Sequence, residues 1–179
     1  MNGHLILIGL RGSGKTTIGR ILAERLGRPF IDLDETIESW AGCSIGEIFA
    51  REGESGFRER ESAALAEAIE GIGSVISTGG GIVLCESNRA CLRDAGFVGW
   101  LTASPEILWQ RMLADPLTAS RRPNLRSGGL EEVIALSQLR EPLYAGTAHA
   151  RFDVSADSPE RIADAILREY SARSSAPRG

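Results

Sequence analysis

Leu5-Ile6-Leu7-Ile8 is an unbroken apolar run that passes directly into glycines. Such a run suits a central parallel strand covered on both faces, because neither face needs polar residues. Beyond the glycines, Ile18, Ile21, Leu22 and Leu26 recur at helical spacing, and Gly27 with Pro29 supplies the stop. Pro29 to Leu33 reads as a second strand. Ser44 and Glu47 form the S-x-x-E pattern of a capping box, and the Ala- and Glu-rich stretch from Gly56 to Glu70 reads as a mostly exposed helix. Ser74 to Ser77 is a third strand, followed by three glycines, and Phe97 to Leu101 is a further strand. Ser104-Pro105-Glu106 and Ser158-Pro159-Glu160 each combine a capping serine, a first-turn proline and a glutamate that suits the helix dipole. Ile162, Ala163, Ile166, Leu167 and Tyr170 make the last helix amphipathic, and Ser171 to Gly179 is small and polar enough to be a frayed tail.

Strands alternating with helices predict an α/β domain with a parallel sheet and sites at the carboxyl ends of its strands. The stretch from Ala114 to Gly129 breaks the pattern. It holds Arg121, Arg122 and Arg126 with two prolines and little apolar periodicity, as a mobile lid would.

Composition narrows the reading. With 179 residues, 42% of them hydrophobic and 25% charged, one core suffices, and the net charge of -4 argues against a general nucleic-acid binder. Cys43, Cys85 and Cys91 have no metal-ligand spacing and suit reduced, buried filler in a cytoplasmic protein. The opening MNGHLILIGL is too short for a signal peptide or a membrane span. Neither His4 nor His149 has partner spacing, and neither is assigned a role.

The chemistry is concentrated after the strands. Gly9-Leu10-Arg11-Gly12-Ser13-Gly14-Lys15-Thr16 fits G-x-x-x-x-G-K-[ST] between a strand and a helix, the context a P-loop requires. In that motif backbone N–H groups curl around phosphates, Lys15 reaches the outer phosphates of ATP and the Thr16 hydroxyl meets Mg²⁺. Asp32 and Asp34 stand two residues apart, so in an extended chain both carboxylates leave on one face, toward the phosphates. One would support Mg²⁺ through water, and the other would accept the hydrogen bond of an attacking hydroxyl; alternatively Asp34 is only a helix N-cap. Ser77 stands at the strand end where a Walker B carboxylate would sit, which leaves Asp32 as the Mg²⁺ candidate. Gly79-Gly80-Gly81 permits close backbone approach to a ligand, and taken alone is equally a simple turn. Arg58 and Arg140, taken singly, read as solvated helix charges.

In combination these motifs closely resemble the shikimate kinase family over nearly the whole chain. The matching order is Gly9 to Thr17, Asp32-Leu33-Asp34, Gly56-Phe57-Arg58-Glu59-Arg60-Glu61, Thr78-Gly79-Gly80-Gly81, Arg122-Pro123 and Arg140-Glu141-Pro142-Leu143-Tyr144. The resemblance implies a three-layer P-loop NTPase fold with a five-stranded parallel sheet in order 2-3-1-4-5 and helices on both faces. One kinase domain is expected over 1–170, with a lid at about 114–129 and a disordered tail at 171–179. The resemblance further implies transfer of the ATP γ-phosphate to the 3-hydroxyl of shikimate, on the route to aromatic amino acids. A monomer is expected because one core is enough, with neither nucleic acid nor membrane as a partner. By matching position, Gly12, Ser13, Gly14, Lys15, Thr16, Thr17 and Arg122 would bind ATP, with Thr16 and Asp32 (through water) at Mg²⁺. Asp34, Arg58, Gly80 and Arg140 would bind shikimate, Asp34 also taking its proton. Lys15, Asp34 and Arg122 would carry catalysis. The lid departs from the family in reading Arg122-Pro123-Asn124-Leu125, and Arg121 is a second candidate for its arginine. A gluconate kinase would share the P-loop and lid but lack the Asp34, Arg58 and Arg140 set. A non-catalytic ATP-binding module would have no use for Lys15, Thr16, Asp34 and Arg122 together.

Overall fold

The computed structural model describes residues 3–71, 73–114 and 128–175. Strands β1 (His4–Ile8), β2 (Phe30–Asp32), β3 (Val75–Ser77), β4 (Gly96–Thr102) and β5 (Ala150–Asp153) form one parallel sheet in the order β2-β3-β1-β4-β5. The helices are α1 (Lys15–Leu26), α2 (Leu33–Ala41), α3 (Ile45–Glu70), α4 (Glu86–Ala95), α5 (Pro105–Ala114), α6 (Leu130–Thr147) and α7 (Pro159–Ser175). Because side chains alternate along a strand, β1 feeds two cores. Leu5 and Leu7 pack with Ile18, Leu22, Ile162 and Ile166 of α1 and α7. Ile6 and Ile8 pack with Leu33, Ile37, Phe57, Leu65, Leu108 and Tyr144 on the opposite face. These are the three layers that the sequence leads one to expect, and all four apolar residues of β1 are fully buried.

Several local expectations change. The helix expected from Gly56 begins at Ile45 with its capping box intact, and it is interrupted at Gly53, whose φ of 71° and ψ of -173° are non-helical. Nor is its second part mostly exposed: Phe57, Glu61, Ala64, Leu65 and Ala68 form a buried stripe. The small alanines and a buried glutamate hide that stripe from a reading of hydrophobicity. The cysteines are not buried filler either, since Cys43 and Cys85 are half-buried and Cys91 is exposed. On α4 it is Asn88 and Leu92, one turn apart, that face inward. Helix α7 runs on to Ser175, past the tail boundary expected at Ser171. The expected lid, with Arg121, Arg122 and Arg126, falls outside the described residues apart from its ends at Ala114, Gly128 and Gly129.

Both histidines are structural. Nδ1 of His4 accepts from Ser74 N at 3.2 Å, and its Nε2 lies 3.2 Å from Ile69 O, which ties β1 to the last turn of α3 and to the residue before β3. Nδ1 of His149 accepts from Val98 N at 3.0 Å. Among the described residues no helix is long and apolar enough to cross a membrane.

Candidate active site

The site lies at the carboxyl ends of β1, β2 and β3, where the order of strands brings three loops together. In the loop from β1 to α1, Gly12 and Gly14 have φ of 79° and 85°, a left-handed conformation that side chains disfavour. Gly12 is also closed to a side chain sterically, because a Cβ there would stand 2.7 Å from Leu108 O. The loop closes on Lys15 at the first position of α1. Its ammonium donates to Gly9 O at 2.8 Å, Leu10 O at 2.9 Å and Ser13 Oγ at 3.4 Å. A cation is thus held within the concavity of a loop that ends on a helix N-terminus, the combination that binds phosphate. Thr17 is exposed on the first turn of the same helix.

Thr16 and Asp32, the two residues assigned to Mg²⁺ from the sequence, touch each other, with Thr16 Oγ1 donating to Asp32 Oδ2 at 2.7 Å. The route by which Asp32 and Asp34 reach the site is different from the extended strand the sequence suggests. β2 ends at Asp32, and α2 begins at Leu33. Asp32 rather than Asp34 is the N-cap, its Oδ1 accepting from Asp34 N at 3.1 Å and Glu35 N at 3.4 Å. Half-buried Asp34 occupies the first turn of α2. The physical reason is that a capped helix satisfies backbone N–H groups which one more strand residue would leave without partners. Asp32 therefore divides its oxygens, one stabilising α2 and one facing Thr16.

The glycine loop after β3 lies against the P-loop. Thr78 donates to Leu7 O through both its N–H (3.2 Å) and its hydroxyl (3.0 Å). A Cβ on Gly80 would lie 3.5 Å from both Gly9 O and Arg11 N. Onto this loop converge the two arginines that looked, singly, like solvated charges. Arg140 is 7% exposed and its Nη1 donates to Gly80 O at 2.9 Å. The Arg58 guanidinium packs directly on Gly81, where any Cβ would collide with it. Arg58 also pairs with fully buried Glu61 at 2.6 Å and with Glu54 at 3.2 Å. Burial works against the Arg58 charge, but the two carboxylates outweigh it and hold the guanidinium above its ordinary value. The buried Nε donors of Arg58 and Arg140 have no hydrogen-bond partner among the described residues. Two guanidinium groups with such donors, brought to one glycine loop beside a P-loop, suit an anionic carboxylate ligand.

A family model described as shikimate kinase matches residues 11–171. The chain belongs to the shikimate kinase family. It is 46% identical over 171 residues to the shikimate kinase of Symbiobacterium thermophilum, covering 95% of this chain and 97% of that one. It is 44% identical over 166 residues to the shikimate kinase of Rhodopirellula baltica, covering 92% and 89%. The structure of a shikimate kinase from Acinetobacter baumannii in complex with shikimate superposes with a TM-score of 0.91 at 35% identity, covering 98% of this chain and 97% of that one. A gluconokinase from Sinorhizobium meliloti shares the fold alone, with a TM-score of 0.56 at 21% identity.

As a member of the shikimate kinase family, the chain has more of its site in supporting residues than the motifs alone disclose. Glu61 and Tyr144 were not singled out by sequence reasoning, although Arg58–Glu61 and Arg140–Tyr144 stand at the i,i+3 and i,i+4 spacings that place side chains on one helix face. Gly81 was read only as part of a permissive turn. Its backbone has an ordinary φ of -102°, so what it provides is room for Arg58. Gly81→Ala is expected to displace that guanidinium and raise the KM for shikimate roughly tenfold or more while leaving the KM for ATP unchanged. Steady-state kinetics with each substrate varied in turn checks this, and a normal shikimate KM would show that the packing is immaterial.

Proposed function

We propose that this protein transfers the γ-phosphoryl group of ATP to the 3-hydroxyl of shikimate, releasing ADP and shikimate 3-phosphate. The observation that carries the reading is the convergence of Arg58 and Arg140 on the Gly80-Gly81 loop next to the P-loop. That arrangement suits an acceptor with a carboxylate held by two guanidinium groups, its hydroxyl turned toward the bound triphosphate. Gly12, Ser13, Gly14, Lys15, Thr16 and Thr17 bind the nucleotide phosphates, and Lys15 follows the γ-phosphoryl group as charge moves onto the leaving oxygen. Asp34 orients the ring hydroxyls and accepts the proton of the attacking one, and Gly80 contributes backbone contacts. Arg122, the arginine of the expected lid, neutralises charge on the transferred group.

The donor set also fits Mg²⁺. Thr16 and Asp32 present hard oxygens within 2.7 Å of each other beside the phosphate loop, and Mg²⁺ characteristically takes few protein oxygens besides phosphate and water. When bound, the ion neutralises charge on the β- and γ-phosphates. Thr16 and, through water, Asp32 would hold it there. One chain, acting as a monomer in the cytoplasm, carries every residue the reaction needs.

The decisive experiment supplies the purified protein with ATP, Mg²⁺ and one acceptor at a time, shikimate, gluconate or a nucleoside monophosphate, and follows ADP release. Rapid release with shikimate alone is the expected result. Release with gluconate alone would keep a carboxylate for the two arginines but replace the ring hydroxyl of shikimate with that of an open-chain sugar acid, and release with a nucleoside monophosphate alone would move the specificity away from a carboxylate. Tight ATP binding with no turnover on any acceptor would leave a nucleotide-binding module.

A further inference from the structure

Arg140 can serve shikimate only if its donors are kept from the protein itself. A buried guanidinium next to a backbone carbonyl has a competing option, which is to spend several of its N–H donors on the protein. Gly80 O is that carbonyl, with two lone pairs to satisfy. Arg140 Nη1 donates to it at 2.9 Å, and the Tyr144 hydroxyl donates to it at 2.5 Å. Both side chains come from α6 one turn apart, so they share a face of the helix and reach the same acceptor. Tyr144 is 1% exposed, and its ring stacks on Trp100 with centroids 5.7 Å apart at 23°, which fixes the direction of the hydroxyl.

We infer that Tyr144 is a positioning residue for the acceptor: its hydroxyl takes one lone pair of Gly80 O and thereby restricts Arg140 to a single bond with that carbonyl. The Arg140 Nε, buried and without a protein partner among the described residues, then stays free for the shikimate carboxylate. Without the hydroxyl, the deprived carbonyl draws Nη2 onto itself beside Nη1, and shikimate must compete for the Nε/Nη2 edge that would fork onto its carboxylate. This inference rests on the shikimate kinase reading.

The test is Tyr144→Phe, which keeps the ring and its stacking on Trp100 and removes only the hydroxyl. The expected result is a KM for shikimate raised roughly three- to tenfold, the range for loss of one buried hydrogen bond, with kcat and the KM for ATP within about twofold. A merely structural role would instead lower the melting temperature and move both KM values together. A double-variant cycle with Arg140→Lys tests the route. The lysine lacks the forked donors that Tyr144 is inferred to keep free, so Tyr144→Phe should cost less than about twofold in that background. An unchanged shikimate KM in Tyr144→Phe, or penalties that multiply in full in the double variant, would overturn the inference. If the wild-type protein turns over no shikimate at all, the kinase reading falls first and this inference with it.

Discussion

Lys15→Ala should lower turnover with saturating ATP and shikimate by about 10³-fold, the scale of removing a group that stabilises charge in a preorganised phosphoryl-transfer site. The geometry explains why the loss should fall on kcat more than on folding. Lys15 is held by two loop carbonyls and a serine hydroxyl, neutral groups that each lose a donor rather than a counter-charge on truncation. The glycine conformations and the helix N-terminus that shape the loop belong to the backbone and remain. Binding of the nucleotide should therefore weaken less than its turnover, since backbone N–H groups still meet the phosphates. Calorimetry with ADP and Mg²⁺, alongside ADP release under saturating conditions, separates the two effects. Turnover within tenfold of the wild type would contradict the role given to the lysine.

What could be read along the sequence, and what could not, follows one physical divide. β1 is legible because a strand buried on both faces must be apolar throughout, and Leu5 to Ile8 has no other use. The P-loop is legible because backbone geometry and phosphate chemistry dictate residue type at almost every position. Periodicity fails where the buried stripe is itself part of the site. On α6 the residues facing inward are Val133, Arg140, Tyr144 and Thr147, so an arginine and a threonine stand where hydrophobicity would have announced a helix. The second half of α3 is blunted likewise by Glu61, which is buried because it pairs with Arg58. β5 is an edge strand whose residues alternate between half-buried and exposed, and Phe152 alone of its four residues is large and apolar. Resemblance to the family recovered the order of the sheet that periodicity could not supply. Local competition decided the Asp32-Leu33-Asp34 segment: spacing is the same whether the chain stays extended or turns into a helix, and the capping bonds of Asp32 select the helix. A reader of sequence sees two carboxylates two residues apart in either case.

Arg140→Ala is the corresponding expectation for the acceptor side, a loss of shikimate affinity by roughly 10²-fold or more, with ATP binding preserved. Truncating one member of a desolvated charge pair costs about 2–5 kcal/mol, and each 1.4 kcal/mol is a factor of ten. Arg140 is a cleaner probe than Arg58 because of what each leaves behind. Arg58→Ala removes the 2.6 Å ion pair of Glu61, a fully buried carboxylate, and the penalty for breaking a buried pair would appear as instability before any effect on binding could be read. Among the described residues Arg140→Ala strands only Gly80 O, a neutral carbonyl that keeps the Tyr144 hydroxyl as donor. The fold should survive it with a modest fall in melting temperature. Calorimetric titration with shikimate and, separately, with ADP and Mg²⁺ gives the comparison. Free guanidinium added to the variant should restore part of the shikimate-dependent ADP release, because it can enter the space the side chain vacates, and should do nothing for the wild type at the same concentration. Shikimate binding at wild-type affinity would show that Arg140 supports the glycine loop rather than the substrate. That would leave Arg58 as the guanidinium for the carboxylate, held in place by Glu61 and by the absence of a side chain at Gly81.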